Sequence, residues 1–241
     1  MKRIAAALLL GAGPLAAQQG PWNGLRLGGK PGPGEWSAPL EILLWLTLLV
    51  LLPAAIISLT PFLRLLVVLH FLRQALGTQS APSNQVLAGL SLFLTLLLMQ
   101  PTGARIYEQA IGPLDRGEIG MQEALARAAV PVKGFLARYV REKDVALFLE
   151  ISHAPRPRNL DDLDLQVLMP AYVLSELRTA FQIGAVLFLP FLIIDLLVAS
   201  ITLSLGMLQL PPVMISAPFK ILLFVVVDGW NLVVGSLVKS F

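Results

Sequence analysis

The segment from Ile183 to Leu205, IGAVLFLPFLIIDLLVASITLSL, decides the fold class of this chain. It is 23 residues long and contains one charged side chain, that of Asp195. An α-helix needs about 20 predominantly apolar residues to cross the hydrocarbon core of a bilayer. The segment is therefore predicted to be a transmembrane helix, broken at Pro190 because proline removes a backbone hydrogen bond.

Three more apolar segments lie on either side of this one, at residues 40–59, 86–99 and 213–238. The whole chain is 56% hydrophobic and 14% charged, whereas soluble domains are about 45–50% apolar and about 25% charged. Segment 86–99 is short for a span unless polar neighbours enter the membrane or protein covers it. These patterns predict an all-α membrane protein with four long apolar helices in two hairpins.

Residues 1–17 have the pattern of a secretory signal peptide: basic residues at Lys2 and Arg3, a short apolar run, and then Ala16 and Ala17. The alternative is an uncleaved first helix, although the apolar run is too short to span a bilayer. Residues 18–39 are rich in glycine and proline, which predicts an extended periplasmic linker.

The rest of the chain divides by composition into three parts. Residues 40–100 are predicted to form a first helical hairpin, and residues 170–241 a second one. Between them, residues 101–169 are predicted to form a polar, helical, periplasmic segment, because apolar side chains recur at helical spacing from Leu125 to Tyr139. Export of the N-terminus places the C-terminus outside as well, in a multi-pass protein of the bacterial inner membrane.

The same orientation puts the first hairpin turn, with Arg64, His70 and Arg73, on the cytoplasmic side. The positive-inside rule supports this arrangement only weakly, because the polar outer segment also contains many basic residues.

Several chemistries are excluded by the residue inventory. The chain has no cysteine and two histidines far apart, so a metal site is not expected. Its net charge of +3 comes from scattered bases, which argues against nucleic-acid binding. No catalytic motif is present, and neither Asp195 nor Asp228 has the sequence context of an intramembrane aspartyl protease. We therefore expect a protein that is not an enzyme and has no cofactor.

Five polar side chains lie in or beside the apolar segments: Glu176, Asp195, Lys220, Asp228 and Asn231. A charge at the bilayer centre costs about 2.5–3.5 kcal/mol on insertion scales, so these groups are predicted to be buried in protein or at a subunit interface. The alternative for the lysine is that it snorkels to the membrane surface. We predict an ion pair between Glu176 and Lys220, across neighbouring subunits; two unrelated interfacial charges are the alternative.

The turn at residues 206–212 is unusual because its tip is apolar. Gly206 begins it, two prolines end it, and the tip consists of Met207, Leu208, Gln209 and Leu210. Copies of this turn from several subunits are predicted to converge into an apolar ring that gates a pore by excluding water. The alternative is a turn that enters the membrane interface of a single subunit.

Several strings along the chain resemble the FliP family of flagellar export proteins. The resemblance covers residue 38 to the end. The strings are RQALGTQ at 73–79, PSNQVL at 82–87, PAYVLSEL at 170–177, AFQIG at 180–184, LPFLIID at 189–195, PPVMIS at 211–216, PFK at 218–220 and VDGWNL at 227–232.

The resemblance implies a structural, pore-forming subunit of the flagellar type III export gate. Such subunits form homo-oligomers with FliQ- and FliR-like proteins, and unfolded flagellar proteins pass through the gate. An injectisome homologue or a generic channel or transporter subunit is the alternative, but the signal peptide and Gly77-Thr78-Gln79 favour the flagellar branch. The family commonly has several methionines after the glycine at position 206, and Leu208 and Gln209 depart from that pattern.

Overall fold

The structure, a computed structural model, describes residues 38–78, 80–153, 163–206 and 211–241. Within these ranges the chain is helical and contains no strand. The predicted signal peptide and nearly all of the predicted linker lie outside the described residues, as do Met207, Leu208, Gln209 and Leu210 of the predicted gate. The all-α prediction is confirmed.

Nine α-helices and one π-helical turn make up the described part of the chain. Their bounds are α1 Ala38–Ser58, α2 Phe62–Ala75, α3 Asn84–Ile106, the π-helical turn Tyr107–Ile111, α4 Gly112–Asp115, α5 Met121–Tyr139, α6 Glu142–Ser152, α7 Leu165–Ser204, α8 Pro212–Val226 and α9 Gly229–Lys239.

Two helical stretches are long and apolar enough to cross a membrane: residues 84–115 and 165–204. The number rises to four if α1 with α2, and α8 with α9, are each counted as one bent span. Thus the predicted count of four is the upper limit.

The chain divides into two compact units, residues 1–53 and 54–241. The described part of the first unit is the N-terminal part of α1, in which residues 42–53 are exposed and mostly apolar. All further description concerns the second unit.

The first hairpin differs from the prediction because α2 is a separate helix. Pro61 precedes it in helical conformation, and proline suits a helix start because the first N–H groups have no partner within the helix. The helix ends at Ala75, and Gly77 follows with a φ of 76°, the left-handed conformation that terminates helices. Arg73 then closes the loop to α3 by donating to the Pro82 carbonyl at 3.2 Å and to Asn84 Oδ1 at 2.6 Å. Arg64 therefore lies at one end of α2 and Arg73 at the other.

Helix α7 connects the two hydrophobic cores of the second unit. Its 40 residues run without a break through Pro170 and Pro190, so the predicted break at Pro190 was wrong. A proline removes only one backbone hydrogen bond, and the bonds on either side preserve a helix of this length. Its first turns pack against α5 and α6, its middle packs against α2, and its C-terminal half packs against α8.

The predicted helical spacing from Leu125 to Tyr139 is confirmed by α5. The side chains of Val132, Phe135 and Tyr139 pack with α6 and α7 around Leu136, which is fully buried. Earlier in the helix, Met121, Leu125 and Val130 are exposed.

The last predicted helix, residues 213–238, is two helices. Helices α8 and α9 meet at an angle of 67°. Asp228 lies at the break with φ 51° and ψ 50°. The side chain of Phe224 folds so closely over Gly229 that a Cβ there would lie 2.3 Å from its ring. Asp228 and Gly229 thus produce a bend that the apolar pattern does not predict.

Candidate functional site

Arg64 and Glu176 form a buried ion pair. Arg64 of α2 donates to Glu176 of α7 through Nε–Oε2 at 2.7 Å and Nη2–Oε1 at 2.5 Å. Glu176 has no exposed surface, and Arg64 is 4% exposed. Because Nε and Nη2 on one edge of the guanidinium donate to the two carboxylate oxygens, the pair is bidentate, the strongest geometry for these two groups. It fixes the beginning of α2 against α7.

The remaining edge of Arg64 holds the last described residues. Its Nη1 donates to the Ser240 carbonyl at 3.3 Å and to Ser240 Oγ at 3.1 Å. The guanidinium carbon lies 3.9 Å from the ring centre of Phe241, a cation–π distance. Tyr139 of α5 also donates its hydroxyl to the Phe241 main-chain oxygen. One arginine therefore joins α2, α7 and the residues after α9, and Tyr139 adds α5.

A second ion pair lies towards the other end of α2. Lys220 of α8 donates through Nζ to Asp195 Oδ2 at 2.6 Å and to the Ala75 carbonyl at 3.1 Å. Ser216 donates to the other carboxylate oxygen of Asp195 at 2.5 Å. Lys220 is 3% exposed, so it does not snorkel within this chain. The group joins the end of α2 to both arms of the second hairpin.

The predicted partnership of Glu176 with Lys220 was wrong. Glu176 pairs with Arg64, and Lys220 pairs with Asp195, both within one chain. The two pairs hold opposite ends of α2, which at about 1.5 Å per residue are roughly 20 Å apart. Sequence proximity to apolar helices could not show this, because the partner Arg64 had been assigned to a turn.

A third polar group, which sequence reasoning missed, lies one residue before Glu176. Ser175 donates to the buried carboxylate of Asp144 at 2.7 Å and accepts from the Arg141 backbone N–H at 3.1 Å. Arg178 lies 3.7 Å from the other oxygen of Asp144. These contacts fix the start of α6 on α7. The only sequence signal was the position of Ser175 beside a charged residue at the start of an apolar run.

Asp228 and Asn231 are exposed and contact each other, with Asn231 Nδ2 donating to Asp228 Oδ2 at 3.2 Å. Asp195 has a separate set of partners on α8. The structure therefore does not bring the two aspartates into a shared contact. In the ranges that the structure covers, no cluster of histidine and acidic side chains could hold a metal ion.

Of the predicted gate, the structure shows the two flanks. Gly206 has a φ of 72°, which only glycine adopts without strain, and it ends α7. Pro211 leads directly into α8. The turn therefore connects two helices that the Lys220–Asp195 pair joins.

Comparison with known proteins assigns the family. The family model described as "FliP family" matches residues 45–237. The chain is 49% identical over 209 residues to the flagellar biosynthetic protein FliP of Bacillus subtilis, covering 87% of this chain and 95% of the relative. It is 43% identical over 243 residues to the FliP of Aquifex aeolicus, covering 100% of both. This family is not one of enzymes, and the chain belongs to the FliP family.

Proposed function

We propose that this chain is a pore-forming structural subunit of the flagellar type III export apparatus. In this role it passes unfolded flagellar proteins across the bacterial inner membrane. Membership of a family whose relatives are named flagellar biosynthetic proteins supports the assignment to the flagellum. Long apolar helices support a multi-pass location in the membrane.

The main support for the proposal is the buried ion pair that joins the two helices on either side of the turn at residues 206–212. The Lys220–Asp195 contact lies eight residues after Pro212 on α8 and eleven before Gly206 on α7. At about 1.5 Å per residue these are roughly 12 Å and 16 Å along the helices. Both arms of the hairpin are thus held together close to the turn. A gate needs such fixed arms, because its constriction must lie at the same place in every subunit.

The proposed gate residues Met207, Leu208, Gln209 and Leu210 have the chemistry of a dewetting constriction. A ring of apolar side chains excludes water and ions from a narrow pore. Methionine is flexible and polarisable, so it fits around chains of different shape. We assign Gln209 to contacts with the neighbouring turn.

Large apolar side chains on the outer faces of the second hairpin support assembly with other subunits. They are exposed on α7 at Leu192, Leu196 and Leu203 and on α8 at Val226. A soluble monomer would not expose a continuous apolar surface of this extent. We assign this surface to lipid, to further copies of this chain and to FliQ- and FliR-like subunits.

Site-specific cross-linking tests the pore directly. The chain has no cysteine, so Leu208→Cys introduces the only thiol. A flagellar export substrate with one cysteine, stalled during export by a folded fusion domain, should form a disulfide with this thiol. Leu125→Cys is the matched control, because Leu125 is an exposed leucine of the polar segment. A stalled substrate that cross-links equally at both positions, or at neither, would count against a pore lined by the turn.

A further inference from the structure

A small cavity lies between α3, α5 and the last residues of the chain. Its volume is about 130 Å³. Residues that line it include Pro101, Thr102, Arg105, Gly134, Arg138 and Phe241. Its lining contains two cations and no aspartate or glutamate, and its residue Phe241 also contacts Arg64 of the first buried pair.

The two arginines of this cavity differ from the other arginines that the structure describes. Eight arginines lie in the described ranges, and six of them donate to or pair with a named partner: Arg64, Arg73, Arg116, Arg127, Arg141 and Arg178. Arg105 and Arg138 have no salt bridge or side-chain hydrogen bond to any described residue. Both side chains line the same cavity, which indicates a site for an anion from outside the chain.

The cavity lies at the end of an apolar helical run. The apolar part of α3 ends at Met99, and Arg105 follows six residues later, roughly 9 Å along the helix. The polar headgroup layers add about 5–8 Å to each side of the hydrocarbon core. A long arginine side chain at this position reaches that layer. Tyr139 and Phe241, which also line the cavity, provide the aromatic side chains typical of this depth.

An apolar track leads from the bilayer to the same cavity. Phe93, Leu97, Pro101 and Arg105 follow each other at intervals of four residues, so they lie along one face of α3. Phe93 is 72% exposed and Leu97 is 59% exposed. An acyl chain lying along this face would bring its headgroup to Arg105.

We propose that Arg105 and Arg138 bind the phosphate of an anionic phospholipid at this cavity. Guanidinium groups match phosphate oxygens through paired N–H donors. Drug-sized ligands occupy pockets of about 300–1,000 Å³, so this smaller cavity takes the phosphate and leaves the acyl chains on α3. The bound lipid holds the junction between the polar segment and the membrane helices at the bilayer surface. It does not depend on the proposed pore.

Native mass spectrometry of the full-length chain in detergent tests the site. Phosphatidylglycerol and phosphatidylcholine are added at equal concentration, and bound lipid is counted. Phosphatidylglycerol should be retained preferentially. Each of Arg105→Gln and Arg138→Gln should lower its retention about fivefold, the usual effect of one basic residue at an anionic membrane. Arg127→Gln is the matched control, because Arg127 lies on the same α5 helix, pairs with Glu123 and does not line the cavity.

Two further measurements test lipid binding at this cavity even if a glutamine variant folds poorly. The double change Arg105→Lys and Arg138→Lys keeps both charges and should retain more phosphatidylglycerol than the double glutamine variant. Inorganic phosphate alone, at millimolar concentration, should be displaced by phosphatidylglycerol. Equal retention by the wild-type chain and the double glutamine variant overturns the proposal, as does an equal loss in Arg127→Gln. Phosphate that the lipid does not displace, or a cross-link from Arg138→Cys to a carboxylate-bearing segment of a neighbouring subunit, also overturns it.

Discussion

Arg64 and Glu176, which are 112 residues apart in sequence, join α2 to α7 through two hydrogen bonds of 2.7 Å and 2.5 Å. Neither side chain has appreciable contact with solvent. The relationship explains why an arginine is tolerated inside the apolar run of α2: its charge has a partner on a different helix. A chain that keeps only one of the two charges should therefore be less stable than a chain that has neither.

Removal of one member of this pair should destabilise the chain strongly. Glu176→Gln leaves the Arg64 charge buried without its counter-charge, which costs about 3–5 kcal/mol in comparable pairs. The double change Arg64→Met and Glu176→Met replaces both charges by apolar groups and should lose less than the two single Met changes added together. The midpoint of thermal unfolding in detergent measures each variant. Additive losses would contradict the pair.

Lys220 and Asp195 should tolerate exchange better than single reversal. Lys220→Asp or Asp195→Lys places two like charges together beside the Ala75 carbonyl and should cost about 3 kcal/mol or more. The combined exchange restores opposite charges and should recover part of the lost protein. The amount of protein accumulated in membranes reports the effect.

The exchange of Lys220 with Glu176 serves as the control for this experiment. Lys220 and Glu176 each pair with another residue. Lys220→Glu combined with Glu176→Lys should therefore restore none of the protein lost from membranes. Recovery by this second exchange would show that the pair forms between subunits, against the contacts seen within the chain.

Much of the fold follows from the hydrophobic pattern. The apolar segments, the helix beginning near Leu125 and the need to neutralise Lys220 all came from residue type and spacing. The breaks did not. A single Asp228-Gly229 step, with one residue in a left-handed conformation, bends an otherwise uniform apolar run. Proline proved a weaker signal, because Pro190 lies inside a continuous helix.

The sequence alone does not predict which charged side chains pair with each other. Arg64 lies between the predicted apolar segments 40–59 and 86–99 and is not among the side chains predicted to be buried. Its burial depends on α2 packing against α7 more than 100 residues later, and that contact has no local signature. The Asp144–Ser175 contact was missed for the same reason, since neither residue is distinctive alone.

Glycine 184 sets how closely α2 and α7 approach. A Cβ at this position would lie 2.4 Å from Phe71 Cδ2, and Phe71 is held by the rings of Phe181 and Phe188. Gly184→Ala should therefore cost about 1–3 kcal/mol through overpacking. Gly103→Ala is the control, because nothing lies within 4 Å of its added Cβ and alanine favours the helix. Equal unfolding midpoints for the two variants would show that α7 moves away without cost.

Two substitutions of Asp228 separate the role of its backbone conformation from the role of its charge. Asparagine adopts the left-handed conformation and preserves a contact with Asn231, so Asp228→Asn should leave the stability of the single chain nearly unchanged. Asp228→Val should lose about 1–2 kcal/mol, because a β-branched residue is strained at this φ.

Asp228→Asn should nevertheless impair assembly of the complex. This effect requires that the exposed carboxylate faces a neighbouring subunit. Recovery of the intact complex by affinity purification measures it. A complex with normal subunit content would confine the role of Asp228 to the bend.

The permeability of cells is the most direct measurement of the proposed gate. Glycine at Met207, Leu208 and Leu210 removes the apolar ring, so cells that assemble this variant should leak sodium ions and small dyes. The control has three glycines at Thr78, Ser80 and Ala81, in the loop of the first hairpin, and should remain sealed. If the turn gates the pore, the assembled gate variant leaks and the control does not. An assembled gate variant with wild-type permeability would contradict it.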